Sequence, residues 1–140
     1  MKIRIKKIYS DAIIPSYQRV GDAAMDLYSY DEAVLKPGEG KSFRTGISVE
    51  IPTGFGMLIW DRSGLAFKHG LTCLAGLIDS NYRGEIGIYL LNTSNKEYTI
   101  EKGHRIAQFV IQKVEQIDFE EVDELSETER GDNWKGSSGY

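Results

Sequence analysis

Gly76-Leu77-Ile78-Asp79-Ser80-Asn81-Tyr82-Arg83-Gly84-Glu85-Ile86 is the stretch that decides how the rest of the chain reads. An apolar approach ends on one acid, Asp79. A polar turn follows, then Tyr82, and Arg83-Gly84 opens a new alternating run. This pattern predicts a β-hairpin with a carboxylate and an aromatic ring at its tip. The backbone of such a tip can meet the edge of a planar base. The ring can pack on a sugar, and the carboxylate can be aimed at a water.

Outward from that stretch, alternation with period two recurs. Ile86, Ile88 and Leu90 share one face, with Tyr89 on the other. Ile47, Val49 and Ile51 alternate with Ser48 and Glu50, and Tyr98 and Ile100 flank Thr99. Near the start, Ile3, Ile5 and Ile8 alternate with basic residues. Pro37-Gly38, Pro52-Thr53-Gly54, Thr93-Ser94-Asn95 and Lys102-Gly103 punctuate these runs as turns. Short alternating runs at this spacing predict an all-β antiparallel sandwich or barrel. Only residues 64–69 read as a short helical turn. Residues 106–111 are almost continuously apolar, as in a strand buried on both faces. Gln108 breaks that run. Left unpaired it would cost about 1–3 kcal/mol, so it meets a partner inside the fold or a ligand.

Composition narrows the class. A chain of 140 residues with 41% hydrophobic content suits one domain with a real core. A net charge of −4 argues against a general nucleic-acid binder, while a few local arginines can still bind a small anion. Cys73 is the only cysteine, which excludes an internal disulfide and a thiolate zinc cluster. The start alternates charged and apolar residues, unlike a signal peptide, and no run approaches a membrane span. A soluble cytoplasmic protein with no membrane partner is expected. Residues 115–129 are acidic with sparse apolar anchors, and the last residues are rich in Gly and Ser. Alone, such a tail buries too little to stay ordered.

Several segments carry candidate chemistry. In Asp61-Arg62-Ser63-Gly64, glycine permits close backbone approach, Ser63 adds a hydroxyl, and Arg62 offers a planar fork for phosphate oxygens. The alternative is an ordinary helix-capping Ser beside a surface Arg. In Ala23-Ala24-Met25-Asp26, the acid either steadies Mg²⁺ through the ion's water shell or pairs with an arginine. Gly103-His104-Arg105 leads into Gln108, where Arg105 can pair with a carboxylate and Gln108 can donate to a phosphate. His69 and His104 are too scattered for a metal site and read as surface or packing residues. In the tail, Arg130, Lys135, Ser137 and Ser138 among glycines suit a lid over a phosphate chain, and Trp134 can stack on a base. A frayed terminus is the alternative.

In their order along the chain, Ala24-Met25-Asp26-Leu27-Tyr28-Ser29, Arg62-Ser63-Gly64-Leu65-Ala66, Gly76-Leu77-Ile78-Asp79 with Tyr82-Arg83-Gly84, Gly103 with Arg105-Ile106-Ala107-Gln108, and Arg130-Gly131 with Gly136-Ser137-Ser138-Gly139 resemble the motifs of the trimeric dUTPases. The resemblance spans essentially the whole chain. It implies a jelly-roll-like β fold, a single domain over 1–129 with a crossing arm at 115–129, a flexible lid at 130–140, and a homotrimer whose sites lie between subunits. It also implies hydrolysis of dUTP to dUMP and pyrophosphate with Mg²⁺ as cofactor. That activity limits uracil entry into DNA and supplies dUMP.

By the same resemblance, Asp79 would activate a water for attack on the α-phosphorus, with Arg62 as its catalytic companion at the phosphates. Tyr82 would pack on the deoxyribose and exclude a 2′-hydroxyl. Backbone groups around Cys73, Leu74, Gly76, Leu77 and Ile78 would pair with uracil, with Gly87 beside them. Arg62, Ser63, Gly64 and Gln108 would hold phosphates, and Asp26 would hold Mg²⁺ through water. Arg130, Trp134, Lys135, Gly136, Ser137 and Ser138 would close over the site. Departures from the pattern are Asp61 where Pro is usual, His104 for Asp, Cys73 for Asn, and Lys135 for Phe. A deoxycytidine triphosphate deaminase shares the implied fold, but it would need a proton-shuttling Glu, for which Glu85 is the nearby candidate. A catalytically silent nucleotide-binding trimer is the reading from another class.

Overall fold

Every strand pairing among the described residues is antiparallel. The computed structural model describes residues 1–132. In chain order the strands are β1 (Arg4–Lys7), β2 (Met25–Tyr28), β3 (Ala33–Leu35), β4 (Gly40–Arg44), β5 (Ile47–Glu50) and β6 (Phe55–Trp60). The short helix α1 (Ser63–His69) follows, then β7 (Leu71–Leu74), β8 (Leu77–Ile78), β9 (Gly87–Asn92), β10 (Tyr98–Ile100) and β11 (Arg105–Lys113). One sheet runs β2-β11-β6-β8 and another β4-β9-β7, with the pairs β1-β5 and β10-β3 beside them. The architecture is all-β and antiparallel, as the period-two runs predict, and it is the jelly roll that the resemblance implies.

The alternation explains the core. Ile47 and Val49 of β5, and Ile88 and Leu90 of β9, face inward, joined by Leu27, Phe43, Met57, Ile100 and Ile106 in one buried cluster. Gly38, Gly54 and Gly103 take positive φ values of 74°, 82° and 86°, as their turns require. The register shift of β11 against β2 between Arg105 and Ala107 is a bulge. It lets Ile106 and Ala107 both be buried before alternation resumes. Ile8 departs from its expected role. It lies beyond the end of β1 and is 39% exposed.

Residues 76–86 do not close into a paired hairpin. β8 joins β6, with Met57 opposite Ile78 and Leu58 opposite Leu77, while β9 joins β4 and β7. The flanks are claimed from opposite directions. The Ile59 amide donates to the Gly76 carbonyl at 2.7 Å, and the Ile86 amide donates to the Ile47 carbonyl at 2.9 Å. Gly76 lies so close to β6 that a Cβ there would stand 2.5 Å from the Ile59 carbonyl oxygen, which explains the glycine. Ala75 turns the chain with a φ of 56°, unusual for a residue with a Cβ. The result is an open mouth between β7 and β8, with Asp79 on the turn beyond it. From 114 to 132 the chain runs without regular strands or helices, and Phe119 and Leu125 are 92% and 87% exposed.

Candidate active site

β11 lies between β2 and β6, so Gln108 faces Asp26 on one neighbour and Trp60 on the other. This register builds a cavity of about 750 Å³ that also contains Arg62, Arg105, Arg19 and Asp22. Asp26 is only 11% exposed at its side chain and is held between two guanidinium groups. Arg62 Nε donates to its Oδ1 at 2.7 Å, and Arg105 Nη1 donates to its Oδ2 at 3.4 Å. Pairing is what allows a carboxylate to be this buried. Arg62 Nη1 also donates to the Arg105 carbonyl at 3.2 Å, so two of its five N–H donors are engaged and the others remain for an anion. Gln108 Nε2 donates to the Asp61 carbonyl at 2.7 Å, the internal partner that its place in an apolar run required. The arginine-paired alternative for Asp26 and the internal-partner alternative for Gln108 are therefore both realised.

Arg62 is the N-cap of α1 in extended conformation, and Ser63 and Gly64 lie exposed in its first turn with no capping side-chain bond. A Cβ on Gly64 would meet nothing within 4 Å, so its backbone is open to approach. Gly70 ends the helix at a φ of 65°.

On the other side of Arg62, Asp61 turns away from this cavity. Its carboxylate accepts the Thr72 hydroxyl at 2.9 Å and the Cys73 amide at 2.5 Å. Its negative charge is therefore spent on β7 rather than set beside the phosphate candidates. Cys73 and Gly76 line a smaller cleft of about 380 Å³ with Ile59, Trp60 and Thr72. Burial, then the Asp61 charge, pushes the Cys73 thiol up to about 12. Cys73 is thus a neutral side chain that neither attacks nor ligates as a thiolate.

Asp79 follows β8 and is exposed; its carbonyl accepts the Tyr82 amide at 3.2 Å. Among the described residues its carboxylate has no hydrogen-bond or ion-pair partner. Tyr82 is 43% exposed, and its hydroxyl donates to the Glu85 carbonyl at 2.9 Å. The ring lies across Gly84, where a Cβ would collide with it. Gly87 opens β9 opposite Arg44, exposed. β8 and β2 are opposite edges of a four-stranded sheet, so Asp26 in β2 and Asp79, just beyond β8, are separated by β11 and β6. One chain assembles Asp26, Arg62, Arg105 and Gln108 and leaves Asp79 and Tyr82 apart from them.

Sequence reasoning passed over Gln18, Arg19 and Asp22, which form the outer wall of the larger cavity. The signal was there. Asp22 accepts the Gln18 amide at 3.1 Å and the Arg19 amide at 2.8 Å, a carboxylate-capped turn written as Gln-Arg-Val-Gly-Asp. His104 accepts the Glu101 amide at Nδ1 and His69 packs on Tyr98, which are surface and packing roles as expected. Arg130 is exposed. Trp134, Lys135, Gly136, Ser137 and Ser138 lie outside the described residues.

The class that these features define is an antiparallel β jelly roll with an arginine-lined cavity and a separate acid-bearing turn. The chain belongs to the dUTPase family, whose model matches residues 10–139, and it is an enzyme of that family, a hydrolase. It is 50% identical to the deoxyuridine 5′-triphosphate nucleotidohydrolase of Nautilia profundicola over 99% of both chains. It is 46% identical to that of Clostridioides difficile over 99% of this chain and 98% of the other. Among solved structures, the Staphylococcus bacteriophage 80alpha dUTPase with dUpNHpp superposes with a TM-score of 0.92 at 30% identity, 99% of each chain covered. The dUTPase of phage phi11 of S. aureus, in a variant described as revealing coordination of a structural Mg(II) ion, gives 0.84 at 25% identity, over 91% of this chain and 100% of the other.

Proposed function

We propose that the chain hydrolyses dUTP to dUMP and pyrophosphate at sites shared between three copies of itself. One observation carries this reading: Asp26, Arg62, Arg105 and Gln108 converge on one cavity while the Asp79 carboxylate stands unpaired on the far edge of the same sheet. A single chain then owns both halves of a site that it cannot itself close. In a closed trimer, the Asp79 turn of one copy meets the Arg62 cavity of the next. Family membership and the dUTP analogue bound by the phage 80alpha relative support the substrate.

In this reading Asp79 accepts a proton from a water whose oxygen attacks the α-phosphorus in line. The new P–O bond forms as the bond to the bridging oxygen of the β-phosphate breaks. Pyrophosphate carries away that electron pair, and dUMP stays behind. General-base action of this kind contributes about 10²–10⁴-fold. Arg62, with backbone donors at Ser63 and Gly64 and the Gln108 amide, holds phosphate oxygens where charge builds up. Tyr82 packs on the sugar. Backbone groups at Cys73, Leu74, Gly76, Leu77 and Ile78, with Gly87 beside them, meet the base. Arg130, Trp134, Lys135, Gly136, Ser137 and Ser138 close over the phosphate end as a lid.

The donor set decides how a metal fits. Among the described residues no three His, Cys, Asp or Glu side chains gather, and both Asp26 oxygens face arginines. This would suit a Mg²⁺ bound together with the triphosphate, which Asp26 would hold through water. It does not suit an ion caged by side chains. The chemistry such an ion would supply is neutralisation of phosphate charge.

The arm and the groove support the oligomer. Among the described residues, Phe119 and Leu125 find almost no cover and Val122 is half-exposed. Met1, Ile3, Ile14, Phe55, Phe109 and Ile111 line an apolar groove of about 640 Å³ beside a β1 that carries Lys6 and Lys7. The acidic segment 115–129 of a second copy complements that groove in polarity and charge. The deaminase alternative is weakened because Glu85, its candidate shuttle, already accepts the Gly46 amide at 2.8 Å. No described helix is long and apolar enough to cross a membrane. The test is incubation with each deoxynucleoside triphosphate and Mg²⁺. Pyrophosphate release confined to dUTP supports the reading; ammonia from dCTP, or no preference for dUTP, contradicts it.

A further inference from the structure

The Asp79 carboxylate has no partner among the described residues, so the turn that carries it sets where it points. That turn, Asp79-Ser80-Asn81-Tyr82, holds no glycine or proline to fix its backbone. One main-chain bond closes it, from the Tyr82 amide to the Asp79 carbonyl, at 3.2 Å the long end of the usual range. Arg83 supplies the rest. Its side chain folds back over the turn, where Nη1 donates to the Ser80 carbonyl at 2.6 Å and to the Tyr82 carbonyl at 2.8 Å. Both hydrogens of that nitrogen are therefore engaged. Arg83 is in turn anchored to β5. The Ser48 hydroxyl donates to the Arg83 carbonyl at 2.7 Å, and Glu50 stands 4.0 Å from Nη2. Farther along, the Gly46 amide donates to the Glu85 carboxylate at 2.8 Å. The acid-bearing turn thus hangs from the region of β5, and Arg83 is the side chain that joins this anchor to the turn.

We infer that Arg83 is a positioning residue for Asp79: its guanidinium ties the Ser80 and Tyr82 carbonyls together and so fixes the direction of the Asp79 carboxylate. In the proposed reaction Asp79 activates the attacking water, and the inference rests on that reading. Arg83 touches no reacting atom; it acts through the backbone of the turn. A charged donor bonds a carbonyl more strongly than a neutral one, which suits a turn without a stiff residue of its own. Aim matters here, because a misplacement of about 1 Å in a reacting group can cost about 10²-fold in rate. The Tyr82 ring has a separate tether, its hydroxyl on the Glu85 carbonyl at 2.9 Å. Loss of Arg83 therefore loosens the acid and leaves the ring held at its far end, so the effect falls on turnover more than on binding.

The test compares Arg83→Met with Arg83→Lys in the full-length enzyme, with Asp79→Asn beside them, reading kcat and KM for dUTP. Methionine keeps much of the side chain's length and donates nothing, whereas lysine keeps the charge and can donate to a carbonyl. Arg83→Met is expected to lower kcat about tenfold and to leave KM within about twofold, the pattern of a lost aim rather than a lost substrate contact. Arg83→Lys is expected to recover much of that kcat, an outcome that a general loss of fold would not give. An unchanged kcat in folded Arg83→Met, a loss confined to KM, or no recovery in Arg83→Lys overturns the inference; with Asp79→Asn inactive, the reading of Asp79 stands. Full activity in Asp79→Asn overturns both. Should Arg83→Met fail to fold, the guanidinium protons of Arg83 in the wild-type protein without nucleotide decide, read by nuclear magnetic resonance. Distinct, slowly exchanging signals are expected, and the averaged signal of a freely rotating side chain would overturn the proposal.

Discussion

Two aspartates of this chain carry the same charge into opposite surroundings. Asp26 is enclosed between Arg62 and Arg105, a position that orients both guanidinium groups and leaves the carboxylate little freedom of its own. Asp79 stands in solvent on a turn, with no cation against it among the described residues. An acid held in a closed ion pair is a poor proton acceptor, and an unencumbered one is available. Asp79→Asn is therefore expected to fold, to retain dUMP binding, and to lose about 10²–10⁴-fold in kcat, read as pyrophosphate release; a rate near that of the wild type would remove Asp79 from the chemistry. Cys73 makes a second case at this scale. With its thiol pushed up to about 12 by burial and then by Asp61, it should resist iodoacetamide at a pH of about 8.5, where an ordinary thiol reacts readily. Rapid labelling of the folded protein at that pH would contradict the assigned environment.

At the scale of elements, alternation in sequence translated directly into strands wherever one face meets the core. Ile47 and Val49, Ile88 and Leu90, and Tyr98 and Ile100 fall on the faces that their spacing dictated. Partner choice was not legible. Nothing local in residues 76–86 says that β8 will join β6 and β9 will join β4 and β7, because that outcome depends on backbone groups of Ile59 and Ile47 far away in sequence. The Asp61 brace was hidden for the same reason: its partners, Thr72 and Cys73, lie beyond an intervening helix. The motif residues Arg62 and Gln108 were legible because a basic fork before a glycine turn, and a polar side chain inside an apolar strand, are local anomalies.

The loops around Asp11, Tyr30 and Lys102 show how elements are tied without core burial. Tyr9 and Tyr30 stack at 4.3 Å, Arg44 bridges Asp31 and the Tyr9 hydroxyl, and Lys102 bonds Asp11 at 2.6 Å over the Tyr30 ring. The bonds from Arg44 hold the Asp31 carboxyl below its usual range, and the bond from Lys102 does the same for Asp11. A carboxylate depressed in the folded state stabilises fully above its unfolded pKa of about 3.9 and loses that contribution as pH falls through the folded value. Asp31→Asn should therefore lower the melting temperature at neutral pH and narrow its gap from the wild type as pH drops below about 4. A gap that is constant with pH would show that the charge contributes nothing.

For the whole molecule, the proposed trimer is what joins three separate observations. Among the described residues Phe119 and Leu125 of the acidic arm are exposed, an apolar groove is open, and Asp26 and Asp79 belong to opposite edges of one sheet. A trimer answers all three at once. A chain ending at Val114 should sediment as a single copy and lose turnover while keeping the β-strand signal in circular dichroism; a truncated protein that remains an active trimer would show that the arm is not the tie.

In the proposed reaction, water attacks the innermost phosphorus under the direction of the Asp79 carboxylate. The direct measurement is turnover of dUTP in water enriched in oxygen-18, with both products analysed by mass. The label is predicted in the phosphate of dUMP, with pyrophosphate released unlabelled; label in pyrophosphate, or no release from dUTP at all, would contradict it.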